Sequence, residues 1–283
     1  MYNDSFRKRY KAAPVAITEN TEHFDTSPHI HGEIEMLYIR SGNAEITVSD
    51  RRYEVSAGEL VIVNPMDVHS IKAGRSSSYH QRCICFDPSL IMDKRLRENL
   101  VSGDSRITEF LSASCEKICE VASLFDSLFD SVDSNSEELF LESVAYVSLI
   151  FAHLKKSGLI ISKDGSKKRS LFVKKVQEYL SEHFNEQITS HDVSRELFYN
   201  QSYFCRLFRE NYGISFLEYL MLYRISNAKL MLSSENVRIS DVAERVGFLD
   251  ASYFSRCFKK IVGKSPVEYQ KSQFCKREKS IQS

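Results

Sequence analysis

The sequence predicts a two-domain α+β protein. A small antiparallel β-barrel followed by helices comes first, then an all-α domain of two similar helical pairs joined by a linker helix. Three observations carry this reading. Four of the five prolines (Pro14, Pro28, Pro65, Pro88) fall in the first 88 residues, and Ser89 to Ser265 contains none, so the later chain reads as mostly helix. Charge divides along the chain although the total is zero: from Lys167 onward there are 20 Lys and Arg against 13 Asp and Glu, and before it 18 against 25. Finally, a segment near residue 200 recurs fifty residues later.

A chain of 283 residues suits two domains with separate cores, and its 42% hydrophobic and 27% charged content is ordinary for globular protein. No apolar run approaches the ~20 residues that span a bilayer, and Met1 to Lys11 lacks the apolar stretch of a secretory leader. The expected location is the cytoplasm, with no membrane partner. The seven cysteines form no Cys-x-x-Cys pair, so buried free thiols are expected. Zinc or redox pairing at Cys83/Cys85 or Cys115/Cys119 is the alternative.

In order along the chain, Glu35–Ile39, Ala44–Val48 and Leu60–Val63 read as short strands. Turn signals at Ser41-Gly42-Asn43, Ser49-Asp50 and Ala57-Gly58 separate them, the pattern of an antiparallel barrel or sandwich. Apolar residues at three- and four-residue steps predict one helix from about Ala113 to Phe129 and another from about Glu137, with Ser136 as cap, to Leu154. The second is apolar around much of its girth, which suits a self-association seam as well as a buried helix. Ser157 to Lys168 is polar, carries two glycines and lies where the charge balance changes, so it reads as the interdomain linker. The expected division is residues 1–160 (barrel about 10–90, helices about 108–156), linker 157–168, and a helical domain 169–275 with paired helices at about 188–212 and 238–262.

Tyr203-Phe-Cys-Arg-Leu-Phe-Arg209 and Gly213-Ile-Ser-Phe-Leu-Glu-Tyr219 recur as Tyr253-Phe-Ser-Arg-Cys-Phe-Lys259 and Gly263-Lys-Ser-Pro-Val-Glu-Tyr269. Eight identical residue types match at a constant offset of fifty: Tyr, Phe, Arg, Phe, Gly, Ser, Glu and Tyr. In the second copy Phe254, Cys257, Phe258 and Ile261 form an inner stripe, while Ser252, Ser255, Arg256 and Lys259 face outward. A polar outer face on the second helix of each pair is what reading base edges in a major groove requires. Phe216 to Leu232 reads as one unbroken connecting helix.

Phe172 to Tyr269 resembles the AraC/XylS family of transcriptional regulators, through Ile239-Ser-Asp-Val-Ala-Glu-Arg-Val-Gly-Phe248, Ser252-Tyr-Phe-Ser-Arg-Cys-Phe-Lys-Lys260 and Gly263–Tyr269. The resemblance implies a double-stranded DNA operator as partner. It implies base contacts from Ser202, Cys205 and Arg206 and from Ser252, Ser255 and Arg256, with Arg209, Lys259 and Lys260 facing phosphates. It further implies a homodimer that activates transcription with RNA polymerase in response to a small-molecule effector. Two departures stand out: Phe198 occupies a turn position where the family has glycine, and Leu249 replaces a serine cap, leaving Asp250 as its substitute.

His29-Ile-His31-Gly-Glu-Ile-Glu35, Gly42, Gly58 and Pro65-Met-Asp-Val-His69 resemble the two cupin motifs, with Asp67 where glycine is common. The resemblance implies a small β-barrel. His29, His31, Glu35 and His69 are the expected lining of an effector pocket, with no metal, cofactor or catalytic residue. The alternative is a three-His, one-carboxylate metal site in a cupin enzyme fused to a DNA-binding module.

Overall fold

The computed structural model describes residues 8–9, 15–21, 24–74, 79–134, 138–162, 167–234 and 237–279. Strands β1 (Lys8–Arg9), β2 (Val15–Asn20), β3 (Ile34–Ser41), β4 (Asn43–Val48), β5 (Arg51–Ser56), β6 (Leu60–Val63), β7 (His69–Ala73) and β8 (His80–Phe86) come first. Short strands β9 (Ser105–Ile107), β10 (Phe110–Leu111) and β11 (Ile160–Ser162) follow. They form a six-stranded sheet in the order β1-β2-β8-β3-β6-β10, a three-stranded sheet β5-β4-β7 and a small β11-β9 pair. The expected barrel is therefore two facing sheets with no closing ladder among the described residues.

Between the sheets lie Leu37, Ile39, Ile46, Val48, Val61, Val63, Ile71 and Cys83. The opposite face of the larger sheet, through Ile17, Ile34, Met36, Ile62 and Ile84, packs on helices α2 (Glu116–Ser134) and α3 (Leu139–Lys156). A sheet covered on both sides needs apolar residues at every position, which is why Leu60–Val63 does not alternate and all four are buried. Helix α1 (Lys94–Val101) precedes them, its N-terminus capped by Asp93, whose carboxylate accepts from Leu96 N–H at 3.0 Å. The helices start two or three residues later than the periodicity suggests, and the expected cap Ser136 lies outside the described residues.

The stretch read as a linker is partly structured. Ile160–Ser162 pairs antiparallel with Ser105–Ile107, and helix α4 (Lys167–His183) has begun by Lys167. Three-residue strands are too short to show a period in sequence, so the pairing partner alone creates them.

Beyond α4 come α5 (Ser190–Glu196), α6 (Gln201–Tyr212), α7 (Phe216–Ser234), α8 (Ile239–Arg245), α9 (Ala251–Val262) and α10 (Pro266–Lys279). The pairs α5–α6 and α8–α9 are helix-turn-helix units, and α7 joins them, giving Phe216, Tyr219 and Leu220 to the first core and Ile225, Ala228 and Leu232 to the second. Gly213 and Gly263 end α6 and α9 in the left-handed conformation, at φ 75° and 83°. Ser215 and Glu218 then cap each other at the start of α7, as Ser265 and Glu268 do at α10.

The first unit also seats on the sandwich. Ile30 and Val68 belong to its core cluster, and the Tyr219 hydroxyl donates to the Met66 carbonyl at 3.1 Å. A Cβ built on Gly213 would lie 2.1 Å from the Ser49 carbonyl oxygen, so only a bare Cα allows this approach. Lys174 approaches Asp104 at 3.9 Å.

Candidate functional site

The repeat separates into structural and outward positions. Phe204, Phe208, Tyr219 and their counterparts Phe254, Phe258 and Tyr269 are buried. The Gly, Ser and Glu matches end one helix and cap the next. Glu218 and Glu268 are exposed but serve as those caps, which leaves Tyr203/Tyr253 and Arg206/Arg256 as the repeated residues that face outward without a role in the fold. In each copy the arginine lies over the ring of the tyrosine three residues earlier, 5.3 Å from centroid in the first and 5.9 Å in the second. That cation–π contact holds the guanidinium at the helix surface and narrows its range of motion. Sequence reasoning passed over the two tyrosines, although their repetition at outward positions was the available signal.

The other expected reading residues fall on the same surfaces. Ser202, Cys205, Arg209, Ser252, Lys259 and Lys260 are exposed, and Ser255 is half-buried with its hydroxyl donating to the Ala251 carbonyl at 2.8 Å. Lys259 and Lys260 occupy the last turn of α9, where cations also favour the helix dipole. Asn200 caps α6 and Asp250 caps α9, so the loss of serine at Leu249 is made good by its neighbour. A groove of about 560 Å³ runs beside the second unit, lined by Arg224, Leu249, Ser252, Tyr253 and Arg256 among others. Arg224 is committed elsewhere: it donates to the Phe184 and Glu186 carbonyls at 2.7 and 2.6 Å, tying α7 to the end of α4.

The two turns differ by one residue. Phe198 and Tyr199 donate to Arg195 and Ser194, as Gly247 and Phe248 donate to Glu244 and Ala243. Phe198 therefore stands where the second unit has Gly247, and it adopts the same left-handed backbone, φ 61° against 86°. Leu249 is the extra residue, which is why the offset changes from forty-nine in the turn to fifty in the reading helix.

At the end of the sandwich that meets the first unit, His29, His31, Glu35 and His69 come together, all buried, with one ligand atom from each within 4.8 Å of the others. Glu35 points between the sheets because it alternates with Ile34 and Met36, which face the helices. His29 and His69 form a backbone bridge, each N–H donating to the other's carbonyl at 3.0 Å. Glu35 Oε2 lies 2.8 Å from His31 Nε2 and 3.3 Å from His69 Nε2, and its Oε1 accepts from the Cys83 thiol at 3.1 Å.

The ring orientations are set by the backbone. Nδ1 of His29, His31 and His69 lies 2.9, 3.2 and 3.0 Å from the carbonyls of Ser27, Glu33 and Asp67. A carbonyl only accepts, so each Nδ1 carries the hydrogen and each Nε2 is turned to the common centre. Burial, then the neighbouring His69 and His31 rings, push the His29 imidazole well below its usual range, so it is neutral at pH 7. Three imidazoles with tautomers fixed by carbonyls, plus one carboxylate, are a donor set that fits a first-row transition metal. A bound ion would supply fixed positive charge and cross-link three chain segments. Asp67 also makes a two-pronged ion pair with Arg106, which bonds Glu109 at 2.8 Å. Burial alone would lower the Arg106 pKa, yet these two carboxylates raise it.

The model of an AraC-like ligand binding domain matches residues 12–149, and that of a helix-turn-helix domain matches residues 193–272. The HTH-type transcriptional regulator YisR of Bacillus subtilis is 28% identical over 84% of this chain and 85% of its own. The HTH-type transcriptional activator RhaR of Yersinia pestis is 25% identical over 91% of this chain and 89% of its own. Among solved structures, ToxT of Vibrio cholerae superposes with a TM-score of 0.58 at 18% identity, covering 93% of this chain and 99% of that one.

Proposed function

Because the chain belongs to the AraC family of transcriptional regulators, we propose that it binds one operator sequence in double-stranded DNA through α6 and α9, and answers to an effector held in its N-terminal sandwich. The observation that carries this reading is the outward Tyr–Arg pair repeated at a fixed spacing on two helices whose other repeated residues serve the fold. Arg206 and Arg256, with Ser202, Cys205, Ser252 and Ser255, read bases; Arg209, Lys259 and Lys260 hold phosphates. Residues 1–160 sense and self-associate, and residues 169–275 bind DNA. Self-association as a homodimer uses the outer face of α3, where Phe140, Leu141 and Leu149 are exposed. By likeness to RhaR, named a transcriptional activator, the output is activation; the same reading takes RNA polymerase as partner and the cytoplasm as location, without catalytic turnover.

The test is selection of binding sites from random duplex DNA by the full chain. One enriched motif of about 20 bp, bound with a steep salt dependence, is the expected result. Recovery of unenriched sequence, or loss of affinity shared equally by all duplexes, overturns the reading.

A further inference from the structure

The two reading helices share α7, but the packing of α7 changes hands at Arg224. Leu222 belongs to the first core and Ile225 to the second, so each half of the helix is gripped by its own unit. A helix curves readily along its length, and a second contact away from its axis is what stops one unit swinging against the other. The structure contains such a contact. The corner between α4 and α5, Phe184 to Gln187, lies against Gly247 and Phe248 in the turn of the second unit. Gln187 Nε2 donates to the Gly247 carbonyl at 2.9 Å. A Cβ built on Gly247 would fall 2.7 Å from the Asn185 carbonyl oxygen and 2.8 Å from its Cα, so backbone meets backbone here. The matching turn position of the first unit holds Phe198, which is exposed. The repeat departs from itself at this position because only the second turn has a neighbour that excludes a side chain.

Arg224 sits at the middle of this contact. Its Nε and Nη2 donate to the Phe184 and Glu186 carbonyls at 2.7 and 2.6 Å, and its guanidinium lies 5.8 Å from the centroid of the Phe248 ring. The side chain thus bridges the corner of the first unit and the turn of the second. It is buried, and burial lowers its pKa with no carboxylate among the described residues to offset the loss. A cation is costly to bury unpaired, and here the carbonyls just past the C-terminal end of α4 and the ring face supply the compensation. The planar fork of a guanidinium suits two carbonyls on one side, which a lysine could not serve together. We infer that Arg224 and Gln187 are positioning residues that clasp the α4–α5 corner to the turn of the second unit, and that this clasp sets the angle of α9 to α6 and so the spacing of the two DNA patches one chain accepts. The consequence for DNA rests on the binding reading above; the clasp itself does not. One inserted base pair turns the second patch by about 35° and moves it by about 3.4 Å, which clasped helices can follow only by distorting the duplex.

The experiment places nitroxide labels on Cys205 of α6 and on α9 through Lys259→Cys, in full-length protein without DNA. The other cysteines, except the buried Cys83 and Cys85, are replaced by alanine. Labelled chain is diluted into unlabelled chain, so that pulsed electron paramagnetic resonance reads distances within one chain. The expected result is one narrow distance distribution. Gln187→Ala, a change at an exposed residue, should broaden it. Arg224→Met should broaden or shift it further, with Arg224→Lys in between because it keeps one of the two carbonyl bonds. Far-UV circular dichroism checks that each chain is folded; if Arg224→Met is not, Gln187→Ala and Arg224→Lys decide. Identical distributions in the folded variants overturn the clasp. A second arm measures affinity for the selected operator and for the same duplex with one base pair inserted between the two patches. The wild-type chain should lose about tenfold on insertion and Arg224→Met about threefold or less. Equal losses overturn the link between clasp and spacing. Failure to select any operator overturns that link together with the DNA reading, while the distances, read without DNA, still decide the clasp.

Discussion

Arg256 and Lys259 lie one turn apart on α9, both exposed, yet their surroundings give them different work. Arg256 rests over Tyr253 near the start of the helix, where side chains reach base edges. Lys259 lies in the last turn, a compact charge on a flexible stem. Arg256→Ala should cost ~1–3 kcal/mol on the selected operator and flatten the preference at one base pair. Lys259→Ala should weaken all duplexes alike and reduce the slope of log affinity against log salt by about one. Affinities for a panel of point-mutated operators at several salt concentrations decide this; an unchanged ranking in Arg256→Ala removes that residue from base reading. Phe198 offers a second test. Its left-handed backbone costs ~1–2 kcal/mol, and with 92% of the residue exposed its ring returns little packing. Phe198→Gly should therefore stabilise the chain by up to about 1 kcal/mol after glycine's own entropic cost, whereas Phe198→Ala keeps the strain. Equal melting temperatures for the two variants would mean that the turn is unstrained.

Among the elements, α7 does most to define how DNA is met. At 19 residues it is about 28 Å long, and it contributes to the cores of both units, so the two reading helices are fixed in separation and phase. They should enter successive major grooves on one face of the duplex. Hydroxyl-radical footprinting of the full chain should show, for each bound chain, two protected patches about 10 bp apart with different sequences between them. One patch alone would mean that only one unit reads. These helices were legible in sequence because capping residues, apolar steps and the repeat agreed with one another. The two-residue β10 and three-residue β9 and β11 were not, since pairing with distant strands decides them. How the two sheets meet at their edges was equally invisible, because alternation reports which face is buried and not how a sheet closes. The four cluster residues were named from motif spacing, but the fixed tautomers, Cys83 beside Glu35 and the seat on α7 depend on contacts between segments far apart in the chain.

For the whole molecule, the balance of charge between the halves suggests two domains drawn together electrostatically, and the contact is of another kind. Ile30 and Val68 enter the core of the first unit, the neutral Tyr219–Met66 hydrogen bond lies beside them, and Lys174–Asp104 at 3.9 Å adds a peripheral ion pair. In this seated arrangement the outer faces of α6 and α9 stay exposed, so the sensor does not cover the reading surface. Regulation through the seat would then act on how the first unit is held rather than by shielding it. Gly213 is the point at which this can be tested without touching the histidine cluster or a base-reading residue. Gly213→Ala adds both left-handed strain and a Cβ that would fall 2.1 Å from the Ser49 carbonyl oxygen, in backbone that cannot rotate aside. Gly158→Ala is the control, because Gly158 has φ 68° and a Cβ there meets nothing within 4 Å. Both variants should lose roughly 1 kcal/mol to strain. Only Gly213→Ala should part the domains, seen as a larger radius of gyration in small-angle scattering. Equal scattering curves for the two variants would show that the first unit is not seated through this contact in solution.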